Sequence, residues 1–118
     1  MYKLFAAGIF TCMLAGHIEA QQLTQDIQLI RKNIPNTFTP NRDGVNDYWE
    51  IKGLSEFTNC KVQVFNQWGS IVFSSNGYTK PWDGRHNGNV LPTASYFYVI
   101  HFNNNKDKPI SGSVTIVK

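Results

Sequence analysis

The residues best equipped for chemistry stand together at Asn41-Arg42-Asp43-Gly44-Val45-Asn46-Asp47. Side-chain oxygens recur at Asn41, Asp43 and Asp47, Val45 can add its carbonyl, and Gly44 permits a sharp reversal. Alternating oxygens around a glycine are what a calcium loop uses, because calcium takes about six to eight oxygen ligands. The match to an EF-hand is partial. Arg42 interrupts the ligands, the glycine comes early, and Glu50 is only a loose counterpart of the bidentate glutamate. The same residues also compose an Asn/Asp/Gly turn held by side-chain to backbone hydrogen bonds. Calcium is therefore one reading of this loop and a self-capped turn is the other.

A second cluster is Lys80-Pro81-Trp82-Asp83-Gly84. Asp83-Gly84 reads as a turn. Trp82 suits either a core plug or a stacking platform for sugar, and large aromatics usually bury most of their area, so the core is expected. The same expectation extends to Trp49 and Trp68. Catalysis finds little to work with. Past residue 20 the histidines are His86, expected in a loop, and His101, expected on the long strand. There is no nucleophile elbow and no His/Cys metal cluster, and most carboxylates sit at turns, so the chain is not expected to be an enzyme.

What must position these residues is a small β domain. The chain has 118 residues, 42% of them hydrophobic and only 16% charged, which allows one domain with a packed core. Residues 1–20 have the layout of a secretory signal peptide: a positive start at Lys3, an apolar stretch from Leu4 to Gly16, and a cut expected after Ala20. Cys12 would leave with it. Cys60 then has no internal disulfide partner and is read as a small buried hydrophobe. Positive residues are scattered, so the net charge of +3 does not point to nucleic acid. No apolar run is long enough for a transmembrane segment in the mature chain.

Residues 21–33 read as a polar linker in which Leu23, Ile27 and Ile30 have helical spacing. From residue 34 to residue 118 the texture is β, with short runs of β-branched and aromatic residues punctuated by Pro, Gly and Asn. Ile34 to Phe38, between Pro35 and Pro40, is expected as an edge or irregular strand. Tyr48 to Lys52 and Lys61 to Phe65 alternate. Asn66-Gln67-Trp68-Gly69 is a tight turn, and Ser70 to Ser74 returns as a hairpin. Asn76-Gly77 and Asn87-Gly88 are further turns. Ser95 to Phe102 looks buried or half-buried on both faces, as a central strand does, and Ile110 to Val117 closes the chain. Six or seven short strands at this spacing, with no convincing helix, predict an all-β, antiparallel, immunoglobulin-like β-sandwich.

Four stretches also resemble a known family in order and spacing. They are Ile34 to Asp47, Val62 to Gly69, Pro81 to Gly84 and Ser111 to Ile116. Together they are similar to the gliding motility-associated C-terminal domain, the type B sorting domain of the type IX secretion system in Bacteroidota. The motif positions are Phe38, Pro40, Asn41, Asp43, Gly44, Asn46, Asp47, Phe65, Asn66, Trp68, Gly69, Trp82, Asp83, Gly84 and Gly112. The resemblance implies a non-catalytic secretion-targeting module, and no cofactor other than the candidate calcium is expected. Its partners would be the type IX outer-membrane translocon and a PorP/SprF-type membrane protein, and its destination the cell surface or the medium. Three positions depart from the family pattern. Arg42 stands where Gly is usual, Gln67 where Arg is common, and Ala94 where Gly is usual. Arg42 would cost about 1 kcal/mol relative to Gly if its φ is positive. A competing reading is a small secreted adhesin or carbohydrate-binding sandwich that uses Trp82, Tyr78 and the loop at 83–89.

Overall fold

In the computed structural model the described residues are 26–118. The expected signal peptide, Cys12 and Leu23 lie outside them. The chain divides into two compact units, Met1–Lys32 and Asn33–Lys118. Within the first, residues 26–32 form a short helix with Ile27 and Ile30 buried and Leu29 exposed. The helical spacing read for the linker is thus realised at these positions. No helix among the described residues is long and apolar enough to cross a membrane.

The second unit is a β-sandwich with unequal layers. Its strands are β1 (Thr37–Phe38), β2 (Lys61–Phe65), β3 (Ile71–Asn76), β4 (Arg85–His86), β5 (Asn89–Val90), β6 (Ala94–His101) and β7 (Ile110–Ile116). The large sheet has the order β1-β7-β6-β2-β3, and β4-β5 is a separate hairpin. Pairings β2–β3, β2–β6 and β6–β7 are antiparallel. The first strand corrects a wholly antiparallel expectation: Thr37 and Phe38 run parallel to Thr115 and Ile116. Pro35 lacks an N–H, so the run from Ile34 yields only these two ladder residues.

Alternation decides which face of the large sheet is buried. Val62 and Val64 on β2 face Ile100 and Tyr98 on β6, and Ile110 and Val114 on β7 complete the same face. The outer face carries Gln63, Phe65, Phe97, Ser111 and Ser113. Phe97 is half exposed, so β6 is not buried on both sides as its apolar run suggests.

The covering layer is built from aromatic segments. Trp49 and Trp82 are fully buried and joined by an isolated antiparallel bridge. The expected strand at Tyr48 to Lys52 is reduced to that one bridge. Trp49 N–H donates to Trp82 C=O at 2.8 Å, but the return bond passes through Tyr78. The Tyr78 hydroxyl accepts from Trp82 N–H at 3.0 Å and donates to the Trp49 carbonyl. A phenol thus fills the place of a direct rung, and the ladder does not propagate. Trp82 packs on Phe38, Phe73 and Tyr96, with ring centroids at 5.4, 5.7 and 6.0 Å, and Trp49 packs on Tyr98 at 5.0 Å. These contacts join the two layers.

Candidate functional site

The motif residues gather into two groups at different places in the sandwich. The first group joins the Asn41–Asp47 loop to the Trp82–Gly84 turn. In the loop, Arg42, Gly44 and Asn46 have φ of 62°, 87° and 54°. This alternation turns successive N–H groups inward. Asp47 Oδ1 accepts from Asn41 N–H at 3.2 Å and Arg42 N–H at 2.9 Å, and its Oδ2 accepts from Gly44 N–H at 2.8 Å. Asn41 Oδ1 accepts from Asp43 N–H, and Asp43 Oδ1 from Val45 N–H. The Val45 carbonyl takes the Thr39 hydroxyl. A backbone concavity of this kind holds an anion, and here the Asp47 carboxylate is that anion.

Five N–H groups donate to the side-chain oxygens of Asn41, Asp43 and Asp47, which is the arrangement of a self-capped Asn/Asp turn. Arg42 also occupies a left-handed conformation that favours glycine, which is the strain anticipated for this position.

Trp82 and Gly84 lock the loop to the core. Gly84 has φ 76°, and a Cβ there would lie 2.8 Å from Pro40 Cγ and 3.4 Å from a Phe38 ring carbon. Only glycine permits that approach. Asp83 Oδ1 caps Arg85 N–H at 3.1 Å, and Trp82 Nε1 donates to the Arg85 carbonyl at 3.1 Å. Beside this junction is an open cleft of about 510 Å³ lined by Arg42, Asp47, Tyr48, Asp83 and Arg85. Trp82 and Tyr78 are buried in the layer below, so neither offers a stacking face to a sugar. Burial pushes the Tyr78 phenol far above its ordinary range, the hydrogen bond from Trp82 opposing the shift and the Glu50 charge adding to it.

The second group is the β2–β3 turn. Asn66 Oδ1 accepts from both Trp68 N–H and Ser70 N–H at 3.0 Å, Asn66 N–H donates to Ser70 C=O at 2.9 Å, and Gly69, at φ 82°, donates to Asn66 C=O at 3.0 Å. Trp68 is not in the core. It is 79% exposed, which corrects the sequence expectation. Phe65, from the same motif, lies on the outer face of the sheet opposite Phe97 and Ile71.

Gly112 stands apart from both groups, opposite Tyr98, and a Cβ there would meet the Tyr98 hydroxyl at 2.6 Å. The glycine leaves room for a tyrosine ring over β7. Cys60 is buried, and desolvation raises its thiol pKa. Among the described residues no cluster of three His, Cys, Asp or Glu is placed to hold a metal. Of the residues that build the layer contact, Trp49 was expected in the core, whereas Tyr78 was read only as part of a sugar platform and Tyr98 only as part of the apolar run at 95–102.

By architecture this is an immunoglobulin-like sandwich domain whose loop motifs are turn caps and layer clasps. The family model of the CHU_C type IX secretion signal domain matches residues 32–116, and the chain belongs to that family. Membership makes it a type IX secretion-related, secreted or surface-targeted protein. Among solved structures, a similar chain comes from the study of PorZ, described as an essential bacterial surface component of the type-IX secretion system of Porphyromonas gingivalis. It aligns with a TM-score of 0.45 and 16% identity, over 52% of this chain and 8% of that one. No curated protein sequence matches.

Proposed function

We propose that residues 34–118 act as a type B sorting tag: a folded, non-catalytic sandwich read by the type IX outer-membrane translocon and a PorP/SprF-type membrane partner. The family match over 32–116 carries this reading. In this view the chain reaches the translocon through an amino-terminal signal peptide at residues 1–20, and the surface or medium beyond it. Its loops serve shape and not reaction, and no cofactor takes part. The carbohydrate-binding alternative loses its platform with the burial of Trp82 and Tyr78.

The test is export. A fluorescent reporter inserted between residues 20 and 21 of the full chain is expected outside a type IX-competent cell and in the periplasm of a strain lacking the translocon. Equal export in both strains, or periplasmic retention in both, would overturn the reading.

A further inference from the structure

The open cleft between the Asn41–Asp47 loop and the Trp82–Gly84 turn is lined by charges of both signs: Arg42 and Arg85, Asp47 and Asp83. The carboxylates are engaged by the backbone. Both oxygens of Asp47 accept loop N–H groups, and Asp83 Oδ1 accepts from Arg85 N–H. The guanidiniums are not engaged. Among the described residues neither Arg42 nor Arg85 has a side-chain hydrogen-bond or ion-pair partner. Two cations thus border one concavity of about 510 Å³ without an ion pair from the chain.

Both arginines start from backbone that is held in place. Arg42 N–H donates to Asp47 Oδ1 at 2.9 Å. The Arg85 carbonyl accepts from Nε1 of the buried Trp82 at 3.1 Å. Gly84 seats the turn against Pro40 at the foot of the loop. Arg42 also carries strain, because its φ of 62° is a conformation that glycine would hold without the penalty of a Cβ. Strain of this kind gathers where a side chain has a task. The Arg42 side chain is exposed and bonded to nothing among the described residues, so the cleft it lines is the task on offer.

We propose that this cleft is a binding site for a phosphate monoester. A phosphate monoester is close to a dianion at neutral pH, which matches two guanidiniums in charge, and each planar fork can take two of its oxygens. A single carboxylate would need only one arginine. The volume falls within the roughly 300–1,000 Å³ of small-molecule sites, so there is room for an organic group as well as the phosphate. Tyr48, 53% exposed and in the same lining, gives that group an aromatic face beside the anion. Arg42 and Arg85 therefore hold the phosphate, and Tyr48 the group esterified to it. The site goes beyond the sorting role and does not depend on it.

Calorimetric titration of the purified chain with phenyl phosphate at low salt tests this. Saturable binding is expected, with a melting temperature that rises with ligand concentration. Arg42→Gly and Arg85→Gln should each bind at least about tenfold more weakly, since each loses a charge-assisted contact. Arg42→Gly should melt at or above the wild-type temperature, because glycine relieves the strain, so its loss of binding is not a loss of fold. Phenyl sulfate, a monoanion of the same shape, should bind several-fold more weakly than phenyl phosphate. Absence of saturable phenyl phosphate binding by the wild-type chain, equal binding by folded Arg42→Gly, or equal binding of phenyl sulfate would each overturn the site. The same group heads phosphatidic acid, so phosphatidylcholine vesicles with and without phosphatidic acid are sedimented with the chain. Retention on phosphatidic acid that Arg42→Gly abolishes gives the phosphate a lipid source. Phenyl phosphate binding without retention gives it a soluble one, and either result supports the site.

Discussion

Asn66-Gln67-Trp68-Gly69 and Trp82-Asp83-Gly84 are written in nearly the same letters. Each joins a tryptophan to a left-handed glycine, and each caps a backbone N–H with an Asn or Asp oxygen. Yet Trp82 is sealed between the layers and Trp68 stands in solvent. The surroundings of the glycines differ in the same way. Gly84 lies against Pro40 and Phe38, while a Cβ at Gly69 would meet nothing within 4 Å. Local chemistry builds both turns, and position relative to the covering layer decides whether the tryptophan is sealed in the core or left in solvent.

The sharpest way to break this comparison is to remove each indole. Trp82→Ala should cost about 3–5 kcal/mol in denaturant unfolding, because it empties a filled aromatic site. Trp68→Ala should stay within about 0.5 kcal/mol, as surface changes do. Equal costs would mean that the two turns are not used differently. The glycines come next. Gly84→Ala should destabilise by about 2–3 kcal/mol through strain plus the clash with Pro40, and Gly69→Ala by about 1 kcal/mol from its φ alone.

A smaller effect is expected in the self-capped loop. Asp47→Ala strands three N–H groups that water can partly reach, a loss of about 1–2 kcal/mol. Melting of the wild-type chain should be the same with and without a calcium chelator, and a drop on chelation would put a cation in the loop after all.

The smallest effect at neutral pH comes from the buried acids. Cys60 and Tyr78 both have folded pKa values raised above their ordinary 9.0 and 10.0. The folded state keeps protons that the unfolded chain releases, so their contribution is whole below about pH 9 and declines as pH rises further. Thermal melts across that range should show the decline, and Tyr78→Phe should flatten its upper part.

Much of the fold was legible. Strands β2 and β7 follow from alternation, β6 from its apolar run, and the turns at 66–69, 76–77 and 87–88 from Asn and Gly chemistry, because these signals are local. Residues 48–52 misled. Their alternation correctly buries Trp49 and Ile51, but whether they form a ladder depended on the Tyr78 hydroxyl, which arrives from a distant segment. The exposure of Trp68 and Phe97 was also hidden, since apolarity favours burial without requiring it. The oxygen pattern at 41–47 offers two readings, and the left-handed backbone at Arg42, Gly44 and Asn46 that shapes the capped turn is not encoded in side-chain spacing.

The parallel pairing of Thr37 with Thr115 has a consequence in time. The first strand of the large sheet has no partner until its last strand has been made, with nearly the whole domain between them. Phe38 can take its place beside Ile116 only then, so the first edge of the sheet closes only after β7 is in place. Such long-range closure is slow compared with local hairpins. The first edge of the sheet therefore stays open for as long as its last strand is delayed.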